Sequence, residues 1–225
     1  MLERLREGVR YLLGVLLFGS LWGALEATLG GLLALIRFPH FGGTMANVGF
    51  LTMAAAVALH GKPGMALGIG LVAASFKLLS VPIFGVSPLA KMIINPMIAI
   101  VLEALAFTLV VGLVLRRWPR NLLAQAGAGV GAMWLVYLGE LFSFFYITRR
   151  VPRFILADPW GWVLTSGGFA AGLALVSVPL GGLLGRLLLR VERAAEPRPA
   201  LYYAGVIGLI LLCIAAAVWG TLTLG

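Results

Sequence analysis

Residues 201–224 read LYYAGVIGLILLCIAAAVWGTLTL, a run without one charged side chain. A helix rises ~1.5 Å per residue, so about 20 apolar residues cross the hydrocarbon core of a bilayer. This stretch is long enough to span. Working back from it, six further apolar runs are separated by short segments rich in Arg, Lys, Pro and Gly. They cover about Tyr11–Ile36, Thr44–Leu59, Gly64–Leu79, Met92–Leu115, Leu122–Ile147 and Trp160–Leu189, with Pro179 inside the sixth. The second and third are short for a full crossing. The pattern predicts an all-α, polytopic transmembrane bundle. Its expected organisation is a six-helix core over 1–189, a charged linker over 190–199, and an additional C-terminal transmembrane helix over 200–225.

Composition agrees. Of 225 residues, 61% are hydrophobic and only 11% charged, with a mean hydropathy of +1.05. So few charges cannot cover the surface of a soluble domain. An ordinary soluble enzyme, a disordered chain and a nucleic-acid-binding domain are excluded on this ground. The single cysteine, Cys213, has no partner for a disulfide or a zinc site. Met1–Arg10 is basic and runs straight into the first span, with no small-residue cleavage pattern, so no cleavable leader is expected.

The net charge of +9 sets topology rather than nucleic-acid binding. With the N-terminus inside, the inner segments hold Arg4, Arg6, Arg10, Lys62, Arg116, Arg117, Arg120, Arg186, Arg190, Arg193 and Arg198. The outer side receives only Arg37, Lys77, Lys91, Arg149, Arg150 and Arg153. The excess favours a multi-pass protein of the cytoplasmic (inner) membrane, N-terminus inside and C-terminus outside. All six outer cations fall in or beside the loops joining spans one–two, three–four and five–six. Were those loops to converge, they would form a basic rim suited to a small anionic or polar solute. The same residues would also serve lipid phosphates, or snorkel.

Four ionisable residues stand inside or at the ends of apolar runs: Glu26, Lys77, Glu103 and Glu140. A charge at mid-bilayer costs at least ~2.5–3.5 kcal/mol, so such groups face the bundle interior and pair. They read either as register-fixing ion pairs or, with Asn95 beside Pro96, as the lining of a polar cavity. Proline removes a backbone donor and leaves an upstream carbonyl free to line such a cavity. The first span also carries Gly19, Gly23, Ala27 and Gly31 at four-residue spacing. That stripe lets another helix approach closely, whether within the chain or from a partner.

Enzyme signatures are missing. There is no P-loop and no HExxH, and Ser166-Gly167-Gly168 is not a nucleophile elbow. The G-x-G-x-G of Gly127–Gly131 lies within an apolar helix. His40 and His60 fall at opposite ends of the second span, so they cannot share a metal. No cofactor and no catalytic residue is expected. Transport or a structural membrane subunit remains.

Three stretches carry a family resemblance. Trp22-Gly23-Ala24-Leu25-Glu26-Ala27 on the small-residue stripe is one. Phe38-Pro39-His40-Phe41-Gly42-Gly43 after the first span is the second. The third is Lys77-Leu78-Leu79-Ser80 followed by Asn95-Pro96-Met97-Ile98-Ala99-Ile100-Val101-Leu102-Glu103-Ala104. Together they make residues 10–190 resemble the substrate-binding S-component of energy-coupling-factor transporters. The resemblance implies a six-helix subunit that takes a vitamin or other micronutrient from outside through the three odd loops. It also implies a transmembrane coupling subunit, docked on the stripe of Gly19, Gly23, Ala27 and Gly31, and two ATPase subunits as partners. The seventh span departs from the family's six-helix pattern. The expected solute contacts are Arg37 and His40 at the rim, Lys77 and Lys91 as anion partners, and Asn95, Glu103 and Glu140 in the cavity. The alternative is a structural or anchor subunit of a larger membrane complex, in which these residues are packing pairs.

Overall fold

A computed structural model describes residues 2–149, 151–195 and 199–224. Arg150 and Arg198, counted above for topology, lie outside the described residues. Among the described residues, seven helices are long and apolar enough to cross a membrane. They are α1 (Glu7–Leu35), α2 (Phe41–His60), α3 (Met65–Phe84), α4 (Lys91–Arg117), α5 (Leu122–Ile147), α6 (Pro159–Arg193) and α7 (Pro199–Leu224). The chain is therefore an all-α, multi-pass membrane protein.

Two boundaries differ from the sequence reading. The third span does not stop at Leu79. It tightens into a 3-10 turn over Phe76–Leu79 and resumes as helix over Ser80–Phe84. Pro82 is tolerated because it sits in the first turn of that resumed segment, where a missing N–H leaves no bond unmade. Gly85 then ends it in the left-handed conformation, φ 62°. Both α2 and α3 thus reach twenty residues, enough for a crossing. The second difference is the charged linker. Helix continues through Arg190 to Ala195, because Val191-Glu192-Arg193-Ala194-Ala195 holds no breaker. The linking segment is shorter than 190–199, and α7 opens with Pro199 in its first turn.

α2 is the most enclosed helix and α7 the most exposed. α2 packs on α1, α3, α4 and α6, while α5 closes the circuit between α4 and α6. Trp22, Phe50, Met53, Met65, Ile69, Phe107 and Met133 are fully buried at its centre. Phe50 and Phe107 meet edge to face at 5.3 Å. Lipid is as apolar as these side chains, so close fit and hydrogen bonds, not exclusion of water, hold such helices together.

One buried polar residue joins α2 to α6. Asn47 Nδ2 donates to the carbonyls of Gly43 (2.8 Å) and Ala170 (2.9 Å), and its Oδ1 accepts from Ser177 Oγ (2.7 Å). Asn47→Leu is expected to lower stability by about 1–2 kcal/mol, since it deletes one interhelical bond and strips Ser177 of another. Thermal unfolding in detergent measures this. An unchanged midpoint would show the network to be dispensable.

The small-residue stripe of α1 is occupied by the chain itself. A side chain at Gly19 would meet Val72 at 2.6 Å, and one at Gly23 would meet the Phe76 ring at 2.5 Å, both on α3. Farther along, Gly31 faces Leu224 at 3.0 Å, and Gly220 faces the Ala27 carbonyl at 3.0 Å, both from α7. A partner helix could reach Gly19, Gly23, Ala27 or Gly31 only by displacing α3 or α7. Close approach along the stripe is thus satisfied within the chain, by α3 and α7.

Candidate functional site

The polar residues of α4 define the inner wall of a cavity. Asn95, Ala99 and Glu103 are four apart and share one face of that helix. Opposite them, Tyr137, Glu140 and Phe144 recur every three or four residues along α5, and Glu26 and Lys77 project from α1 and α3. All of these line one cavity of about 750 Å³. That volume lies in the range of sites for small organic molecules, roughly 300–1,000 Å³.

The cavity lies at the end of the bundle that carries the one–two and five–six loops. His40 comes from the one–two loop, Pro152 and Asp158 from the five–six loop, and Lys77 and Asn95 flank the three–four loop. The one–two and five–six loops thus contribute to one cavity, and the helix ends beside the three–four loop line it too. Their basic residues behave differently. Arg37 and Lys91 are exposed and do not line the cavity. Neither Arg149 nor Arg153 lines it.

Depth follows from helix geometry. Glu103 lies twelve residues along α4 from Lys91, about 18 Å in at ~1.5 Å per residue. Its side chain is 5% exposed, and its Oε2 has no hydrogen-bond partner among the described residues. Asn95, two turns nearer the mouth, leaves its Oδ1 likewise unpartnered. Lys77 Nζ lies 3.0 Å from Glu26 Oε2, both side chains largely enclosed. The single lysine of the cavity is therefore already neutralised by a carboxylate. Among the described residues, four acidic ones (Glu26, Glu103, Glu140 and Asp158) and one lysine line the space.

Aromatic rings form the wall facing α4. Tyr137 and Trp162 lie 5.0 Å apart between ring centres, and Phe144 lies 6.1 Å from Trp162. Asp158 fixes the start of α6 by accepting from the Gly161 N–H at 2.8 Å. Both α5 and α6 then widen into π-helical turns, over Ser143–Ile147 and Val163–Gly167. Each turn contributes to the lining, Ser143 and Phe144 from one and Thr165 and Ser166 from the other. Such turns are frequent at functional sites because they re-aim side chains without ending the helix.

The mouth carries backbone strain. Arg37, His40 and Arg149 adopt left-handed backbone with φ of 51°, 56° and 50°, a conformation costing a non-glycine residue roughly 1–2 kcal/mol. His40 is held there by its ring. It stacks on Phe169 at 4.9 Å, and its Nδ1 lies 3.2 Å from Ser166 Oγ. Of the three only His40 lines the cavity, and a strained residue held by its side chain at such a mouth suits a ligand clamp.

The structure thus gathers Glu26, His40, Lys77, Asn95, Glu103 and Glu140 into one site and leaves Arg37 and Lys91 outside. The residues that sequence reasoning missed are Tyr137, Phe144, Asp158, Trp162 and Ser166. The spacing of Tyr137 and Phe144 about Glu140 was a usable signal, as was Asp158-Pro159 as a helix start. Nothing in the sequence paired α5 with the start of α6. No family model, no curated protein and no solved structure matches this chain.

Proposed function

We propose that this chain is the substrate-capture subunit of a micronutrient importer in the cytoplasmic membrane. Its N-terminus faces inward and its cavity outward, and it binds a small vitamin-like solute before partner subunits drive release. The observation that carries this reading is the 750 Å³ cavity, placed at the end of the bundle where residues of the one–two and five–six loops line it. It extends from exposed His40 and Asp158 to the buried carboxyl of Glu103, about 18 Å along α4 from Lys91. A bundle that only anchors other subunits has no need of such a space, and open volume forfeits the contacts that stabilise helix packing.

The lining is mostly binding groups; its Ser166–His40 contact lies at the exposed mouth, where the His40 ring stacks on Phe169 and no carboxylate is bonded to it among the described residues. Binding followed by passage fits this better than chemistry. Transport energy would come from separate ATPase chains through a transmembrane coupling subunit.

Affinity purification of the tagged chain from its host in mild detergent, with mass spectrometry of what accompanies it, tests the proposal. Two ATPases and a helical coupling protein are the expected companions. Recovery of a redox or other large assembly without ATPases would instead make the chain an anchor subunit.

A further inference from the structure

Two acceptors of the cavity lack a donor. Glu103 Oε2 and Asn95 Oδ1 are both buried, both on the cavity face of α4, and neither receives a hydrogen bond among the described residues. A buried acceptor left unmatched costs about 1–3 kcal/mol, more when charged, so a pair of them marks where a ligand's N–H groups belong. Lys77 does not fill this role, since its ammonium is committed to Glu26 at 3.0 Å. Glu140, on the facing helix, has no ion pair among the described residues either.

The geometry points to an organic cation as the solute of this cavity: a protonated amine or amidine carried on a flat, unsaturated ring. Its positive group sits at Glu103 within reach of Glu140, and a second N–H meets Asn95. This deepens the capture reading above and rests on it. Three features select the class. The carboxylates exclude an anion, which would enter a space lined by four acidic residues with its one lysine already paired. The volume and the apolar remainder of the wall exclude a bare metal ion, which needs several oxygen ligands drawn close together. The rings of Tyr137, Phe144 and Trp162 supply π faces, which attract cations and stack on flat bodies. The basic residues at the periphery, Arg37 and Lys91, stand outside the lining and do not set its preference.

Three probes of nearly one shape isolate the charge: benzamidinium, benzamide and benzoate, titrated into the purified chain in lipid nanodiscs at neutral pH and followed by calorimetry. Benzamidinium is expected to bind about tenfold or more tighter than benzamide, the usual margin of a charge-assisted hydrogen bond, with benzoate weakest. Glu103→Gln keeps the shape and is expected to erase most of that margin. Glu140→Gln, made separately, is expected to reduce it and serves if the first variant fails to accumulate. Benzamide or benzoate binding as tightly as benzamidinium would overturn the cation assignment while leaving solute capture in place. A margin that survives both variants would overturn it too, as would silence from all three probes. The identity of the co-purifying chains, measured independently, decides the capture reading itself.

Discussion

Gly185→Val is expected to cost the folded bundle about 3 kcal/mol or more, seen as a lower unfolding temperature in detergent and reduced accumulation in the membrane. The reason is the closeness of α2 and α6. A Cβ at Gly185 would press on the backbone carbonyl of Ala55 and lie 2.7 Å from the Ala58 methyl. One turn earlier, Gly181 stands in the same relation to the carbonyl of Leu51 and the Ala54 methyl, again at 2.7 Å. A flexible side chain could swing aside, but a helix carbonyl cannot move without its whole helix. Relief therefore requires α6 to retreat from α2. That would stretch the bonds from Asn47 to Ala170 and Ser177 and shift the start of α6, which carries Trp162. Gly127→Val, a glycine on α5 with no neighbour within 4 Å of an added Cβ, is the control and should be tolerated. Equal stability of both variants would mean that the α2–α6 contact does not limit folding.

Lys77→Met is expected to destabilise the bundle by about 2–3 kcal/mol, and adding Glu26→Gln is expected to restore most of that loss. The ammonium of Lys77 and the carboxylate of Glu26 lie 3.0 Å apart with side chains only 23% and 13% exposed. Removing one member leaves the other charged in a medium that solvates it poorly, whereas removing both leaves no such charge. The double-mutant cycle by thermal unfolding separates the pair from either residue alone. Additive losses would show that the two groups do not depend on each other. The cycle also bears on the site, because the pair is what keeps the cavity's lysine from serving an anion.

Much of the fold was legible from order and composition. Seven apolar runs gave seven spans, and the ends misjudged were those where a breaker's local position mattered. The third run looked finished at Leu79 but helix resumes through Pro82, and Arg190 looked like a linker but continues a helix. The site was half legible. A buried charge is costly enough in a membrane that Glu26, Lys77, Glu103 and Glu140 stand out in any apolar run. Arg37 and Lys91 were drawn in for their charge and their loops, yet a basic residue at a helix end can turn to water or lipid headgroups, and these do not enter the cavity. The aromatic wall gave no such signal, because Trp162 and Tyr137 are unremarkable beside so many apolar neighbours.

The sequence by itself determined what the bilayer enforces: helices, their number, and which ionisable groups must face inward, since each follows from the cost of leaving a polar group in hydrocarbon. Only the tertiary structure decided who pairs with whom. It set Lys77 on Glu26 rather than Glu103, and covered the glycines of α1 with α3 and α7 rather than a foreign helix. It also left Glu103 and Asn95 facing a cavity with their acceptors unmet. These outcomes depend on distances between segments far apart in the chain. One-dimensional spacing carries no such distances, and close packing of the helices fixes them.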